Sequence, residues 1–186
     1  MEESKFPVIM QSLAAVTTVT TGILLVLFEW MHASWMLTAA ISTGTTAYHF
    51  LMRLAVGYVI PKATGYRFNH RHPWFQPRSW EHTLYRKLQV KRWKKHLPTY
   101  APSQFSLKSH TPLEVVRNMC GAEIVHEIIM VLSFFPLILV PRFGTFPVFL
   151  ITSLLAALLD SVFVMTQRFN RPRMIRILEK QEAQIP

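Results

Sequence analysis

Three ionisable residues interrupt one of the chain's apolar runs: Glu123, His126 and Glu127. Spacings of three and four place them on one broad face of a helix. Ionisable groups inside a bilayer cost about 2.5–3.5 kcal/mol each on insertion scales, so they persist where they pair, stay neutral or face a cavity. An imidazole whose proton is held by a carboxylate is a general base suited to neutral pH. Such a base takes the proton of an alcohol attacking an acyl donor. Asn118 and Arg117 stand just before the cluster. Arg53 is the expected partner, from its matching depth in an earlier apolar run, with His49 one turn deeper. The bland alternative is a cluster that ties helices together. Cys120 is a nucleophile by position, but a lone cysteine on an apolar face usually packs as a small hydrophobe.

Metal chemistry is the rival. Glu123-x-x-His126 matches half of a di-iron carboxylate site. A second match, Glu29-Trp-Met-His32, falls at the outer end of the first apolar run. The bilayer core is about 30 Å thick, so the two should not share an ion. His70 and His72, with His82, His96 and His110, are loosely similar to the His-rich boxes of membrane desaturases and hydroxylases. No Gly-rich phosphate loop and no Ser-centred nucleophile motif is present. No bound metal and no resident cofactor is expected.

Cations gather in two places. Residues 61–118 hold 12 of the 20 Lys and Arg, and residues 167–186 hold five. In the first stretch Trp80, Leu84 and Leu88 form one helical stripe. Val90, Trp93 and Leu97 form another about half a turn away, so the helix breaks near Val90 or meets different partners on two faces. Lys91, Arg92, Lys94 and Lys95 surround Trp93. Such a segment either holds anionic lipid, at about 1 kcal/mol per cation, or forms a pocket for a phosphate-bearing substrate. At the carboxyl end Asn170 and Pro172 suit a helix start. The apolar spacing beyond them suits an interfacial amphipathic helix. Arg168, Arg171 and Arg173 serve there as positive-inside anchors or as bidentate phosphate forks.

These residues need elements to place them. The chain has 186 residues, 51% hydrophobic and 16% charged, with a formal net charge of +10. Soluble domains carry about 25% charged residues, and this hydrophobicity excludes intrinsic disorder. Apolar residues blocked into long runs argue against a soluble nucleic-acid binder. The single cysteine excludes an intrachain disulfide framework and a multi-Cys metal site. Spanning a bilayer takes about 20 apolar residues. An all-α integral membrane protein with one domain over 1–186 is therefore expected. Its four transmembrane helices fall at about 6–28, 33–60, 119–140 and 143–166. A basic loop over 61–118 contains an interfacial helix, and an amphipathic helix covers 170–183. The first helix is read as a retained anchor, since its start lacks a positive n-region. With four spans, the basic loop and both termini share the cytoplasmic side.

Three segments carry a resemblance: Val90-Lys-Arg-Trp93-Lys94, Ala122-Glu123-Ile-Val-His126, and Gln167-Arg168-Phe-Asn170-Arg171-Pro172-Arg173 with its basic tail. In order and context the chain resembles the glycosyl-4,4'-diaponeurosporenoate acyltransferase family, over roughly residues 80–180. The Arg-Phe-Asn-Arg-Pro-Arg element is its most specific part. Members are small bacterial membrane proteins, and the named one esterifies a carotenoid glucoside with a fatty acid in staphyloxanthin synthesis. The resemblance implies acyl transfer from an activated donor, acyl-CoA or acyl carrier protein, to a hydroxyl of a lipid or glycolipid acceptor in the bacterial cytoplasmic membrane. His126 is then the expected base, with Glu123 orienting it and Glu127 beside it. Asn118 or Trp93 polarises the acyl carbonyl. Lys94, Arg168, Arg171 and Arg173 hold donor phosphates, with Gln167 and Asn170 in the same substrate-binding element. Two other classes compete: a metal-dependent lipid hydroxylase or desaturase, and a non-enzymatic lipid-binding membrane protein. Membrane lipids are the expected surroundings, no nucleic acid partner is expected, and the oligomeric state is open.

Overall fold

The computed structural model describes residues 5–184. It is all-α, with no strand among the described residues. The long helices are α1 (Phe6–Met31) and α2 (Ser34–Thr64). Short elements follow in the basic loop: a 3-10 turn at Pro73–Phe75, α3 (Glu81–Lys87) and α4 (Val90–Trp93). Then come α5 (Pro112–Leu132), the one-turn α6 (Val140–Phe143) and α7 (Phe146–Glu182).

Among the described residues, three helical segments are long and apolar enough to cross a membrane: Phe6–Met31, Pro112–Phe143 and Phe146–Glu182. The helix α2 is long enough but carries more hydroxyl residues. Its Ser42, Thr43, Thr45 and Thr46 bond carbonyls one turn back at 2.7–3.0 Å, which satisfies those hydroxyls inside the helix.

Helix ends follow local chemistry. The start of α5 is a capping box. Thr111 N and Oγ1 donate to Glu114 Oε2 at 2.8 and 3.0 Å, and Glu114 N donates back to Thr111 Oγ1 at 3.3 Å. Pro112 occupies the first helical position, where its missing N–H costs nothing. The third apolar segment thus starts earlier than 119. Its regular α-helix stops at Leu132, ahead of Pro136, and continues as a 3-10 turn at Phe135–Leu139. The loop helix does break near Val90: Gln89 takes the left-handed region at φ 53° and separates α3 from α4.

A separate helix beginning at Asn170 is not what forms. The helix α7 runs without interruption from Phe146 to Glu182, with Pro172 inside it. Proline removes one ladder hydrogen bond, and the side chains of Arg168 and Arg171 fasten the helix in the turn just before it.

The chain divides into two compact units. One holds Lys5–Tyr58 and Ile128–Leu159. Within it Thr21 Oγ1 meets Thr43 Oγ1 at 2.9 Å, and a Cβ on Gly44 would lie 3.2 Å from Thr21 Cγ2, so small residues let α1 and α2 approach closely. Tyr48 donates to the Leu132 carbonyl at 2.8 Å and stacks on Phe135. Val16, Val19, Ile23, Leu155 and Leu158 are exposed. The other unit holds Val59–Glu127 and the chain from Asp160 onward, and it contains the site.

Candidate active site

In that unit the middle of α5 and the part of α7 from Asp160 onward run antiparallel, joined by a ladder of polar pairs. His126 meets Asp160 at one end, and Cys120 and Glu123 meet Arg171 and Arg168 at the other.

Nδ1 of His126 lies 2.8 Å from Oδ1 of Asp160. The Asp160 side chain is 2% exposed and the imidazole 24%. The ring also stacks on Phe163, 4.8 Å between centroids and 11° from parallel. An acceptor-only carboxylate against Nδ1 assigns the proton to that nitrogen. Nε2 has no hydrogen bond among the described residues, and in the neutral ring it carries the lone pair. This is the arrangement of an oriented general base.

Glu123 does not orient His126. Fully buried, it accepts from Arg168 Nη1 at 2.5 Å through Oε1 and from Arg171 Nη1 through Oε2. Arg168 also grips Glu81 Oε1, from Nε at 2.9 Å and Nη2 at 2.6 Å. The remaining donors go to three successive carbonyls around the Pro73–Phe75 turn. Arg168 bonds those of Trp74 and Gln76 at 3.0 Å, and Arg171 bonds that of Phe75 at 2.7 Å. Two guanidiniums face two carboxylates, so the knot carries no net charge. Arg171 is 2% exposed. The expectation that Arg168 and Arg171 hold donor phosphates is therefore corrected: their forks are filled by Glu81, Glu123 and the loop backbone.

The rest of the expected site is scattered through the same unit. Glu127 Oε2 accepts from Trp74 Nε1 at 2.9 Å. Asn118 is buried and its amide donates to the Gln104 carbonyl at 2.8 Å. The Trp93 indole donates to the Leu88 carbonyl at 2.8 Å. The single Trp93 N–H is spent in that bond, and the buried Asn118 amide has one of its two N–H donors engaged. Lys94 bonds Asn170 Oδ1 and sits 4.5 Å over the Phe169 ring. Burial, then the charges of Arg173 and Lys91, hold its ammonium below the usual lysine range. Arg173, Arg176, Ile177 and Lys180 line an open cleft of about 330 Å³ on α7. The side chains of Gln167 and Arg173 make no hydrogen bond among the described residues. Cys120 is fully buried, with Arg171 Nη1 3.9 Å from its sulfur. Arg53, in the other unit, donates to the carbonyls of His49 and Ala156. Among the described residues no three His, Cys, Asp or Glu side chains gather as a metal-ligand set, so the Glu123-x-x-His126 and His70/His72 patterns acquire no further ligands.

Asp160 and Glu81 are the residues that spacing alone did not deliver. Each carried a signal. Asp160 is the one charge in the apolar run 143–166, and Glu81 is the one carboxylate between residues 61 and 113.

A family model for glycosyl-4,4'-diaponeurosporenoate acyltransferase matches residues 71–180. The chain belongs to that family. It is accordingly an enzyme, an acyltransferase, in a bacterial membrane family named for carotenoid glycoside modification. The match takes in the arginine knot, His126 and Asp160, and leaves α1 and α2 outside. An acyltransferase of this family needs an acyl donor and a lipid or glycolipid acceptor. No curated protein sequence and no solved structure matches the chain.

Proposed function

We propose that this acyltransferase moves a fatty acyl group from an activated thioester donor, acyl-CoA or acyl carrier protein, to a hydroxyl of a carotenoid glucoside-like lipid, with His126 as its base. The observation that carries this is the Asp160–His126 pair with Nε2 unengaged. Nε2 takes the proton of the acceptor hydroxyl as its oxygen attacks the acyl carbonyl. The tetrahedral intermediate collapses, the C–S bond breaks, and the thiolate leaves with the proton returned by the imidazolium. Asp160 keeps Nδ1 protonated and stabilises the charged ring meanwhile.

Gln167 is the candidate carbonyl polariser, in place of Asn118 and Trp93. It lies seven residues after Asp160 and four after Phe163, on the same stripe of α7. Amide donors of this kind serve as oxyanion ligands. Donor phosphates fall to Lys94 and Arg173, with Arg176 and Lys180, which retain open faces.

We also place α2 across the membrane as a fourth span. Its 31 residues reach about 46 Å at 1.5 Å each, and the hydroxyls on it are bonded internally. An even number of spans then sets both termini and the basic loop on the cytoplasmic side.

The test compares lipid extracts from host cells carrying the wild type or His126→Ala by mass spectrometry. A lipid heavier by one fatty acyl group only in the wild type is expected. The same lipid at equal abundance in the variant would remove His126 from the chemistry.

A further inference from the structure

A second cationic cleft lies away from the His126 face. Arg67, Phe68, Asn69, His70, Arg71 and Arg117 line an open space of about 470 Å³. The cations come from separate parts of the chain, the segment after α2 and the first turns of α5. Arg67, Arg71 and Arg117 are exposed, and none makes a side-chain hydrogen bond or ion pair among the described residues. This distinguishes them from Arg168 and Arg171, whose donors are filled. On α5, Arg117 precedes His126 by nine residues, about 14 Å of rise and half a turn of rotation, so the cleft opens on the opposite side of the helix.

We propose that this cleft is a binding site for a phosphate group, either the headgroup of an anionic phospholipid or the phosphates of a soluble ligand. Guanidiniums offer paired N–H donors at the spacing of phosphate oxygens. Three of them around one concavity repel each other until an anion enters. The same field acts on His70, which burial, then Arg71 and Arg117, hold below the usual histidine range; Arg171 adds to this and Glu182 opposes it. Phe68 supplies an apolar wall beside the charges, which suits the junction of a headgroup with its acyl chains.

The full-length protein in neutral detergent is titrated with phosphatidylglycerol in mixed micelles, and separately with inorganic pyrophosphate. Thermal stability and intrinsic tryptophan fluorescence report binding. Saturable binding of one probe is expected, weakened at least about tenfold in Arg71→Gln/Arg117→Gln, the loss for a charge-assisted contact of about 1.4 kcal/mol or more. Arg86→Gln/Lys87→Gln, which removes two exposed cations at the end of α3 outside the cleft, should bind as the wild type does. Saturation by phosphatidylglycerol alone names a lipid headgroup, and saturation by pyrophosphate names a soluble phosphate ligand. Equal weakening in both double variants, or no saturable binding of either probe, overturns the site. Arg71→Lys/Arg117→Lys guards against a folding artefact, because it keeps the charge and should retain part of the affinity.

Discussion

The imidazole of His126 and the carboxylate of Asp160 touch across 34 residues of chain, Nδ1 to Oδ1 at 2.8 Å. A nearly buried carboxylate on one nitrogen and the Phe163 ring on one face leave the imidazole little freedom to turn. The acid that fixes this histidine is therefore contributed by α7, and the acids adjacent on α5 have other duties.

Asp160→Asn should lower kcat by roughly 10²–10⁴-fold, as expected when a base loses the group that sets its tautomer. KM for the acyl donor should change by less than about threefold, since the proposed role of Asp160 is to orient His126. Steady-state kinetics in detergent separates the two. A variant with unchanged kcat means that Asp160 only packs against the ring.

Glu123→Gln should act on the fold before it acts on catalysis. It removes a buried charge from between Arg168 and Arg171, and breaking such a pair costs about 3–5 kcal/mol. Denaturant or thermal unfolding should show that loss, with protease cleavage appearing near Trp74–Gln76. A variant as stable as the wild type but inactive would restore Glu123 to the chemistry.

Gly121→Ala tests the packing of the loop on α5. A Cβ there would lie 2.3 Å from Cδ1 of Tyr66 and 2.7 Å from Cε1, so the ring must move. Overpacking of this kind costs about 1–3 kcal/mol. Tyr66→Ala in the same background should recover part of the loss in a thermal melt. Additive losses would show that the two residues do not meet.

Donor binding should weaken at alkaline pH. Lys94 holds its proton less tightly than a solvated lysine, through burial and then the charges of Arg173 and Lys91. Below that lowered pKa its ammonium attracts phosphate, and above it the attraction is gone. The donor KM should therefore rise with pH before ordinary lysines titrate. Lys94→Arg should abolish the rise, because a guanidinium stays charged. A wild-type KM that is flat across this range moves the donor elsewhere.

Periodicity and punctuation made much of the fold legible. Long apolar runs set the helices of the membrane region. The change of phase between Leu88 and Val90 announced the break that Gln89 makes. Thr111-Pro-Leu-Glu114 spelled a helix start. Spacing on one helix also put Glu123, His126 and Glu127 on a shared face. It could not say which acid reaches which base, because that depends on how α5 and α7 slide past each other. Arg168 and Arg171 therefore read as phosphate forks, although Glu81 and Glu123 fill them. Asn170 and Pro172 have the local chemistry of a helix start, yet Arg168 and Arg171, just before Pro172, tie α7 to α5 and the loop, and the helix runs on through it.

The arginine knot also imposes an order of assembly. Glu81, Glu123 and the carbonyls of Trp74, Phe75 and Gln76 are all synthesised before Arg168 and Arg171. Until α7 is made, Glu81 and Glu123 lack the guanidiniums that engage them in the folded chain. The helix α7 closes the knot, and a nascent chain stopped short of Arg168 presents quality control with two carboxylates that lack both of these guanidiniums.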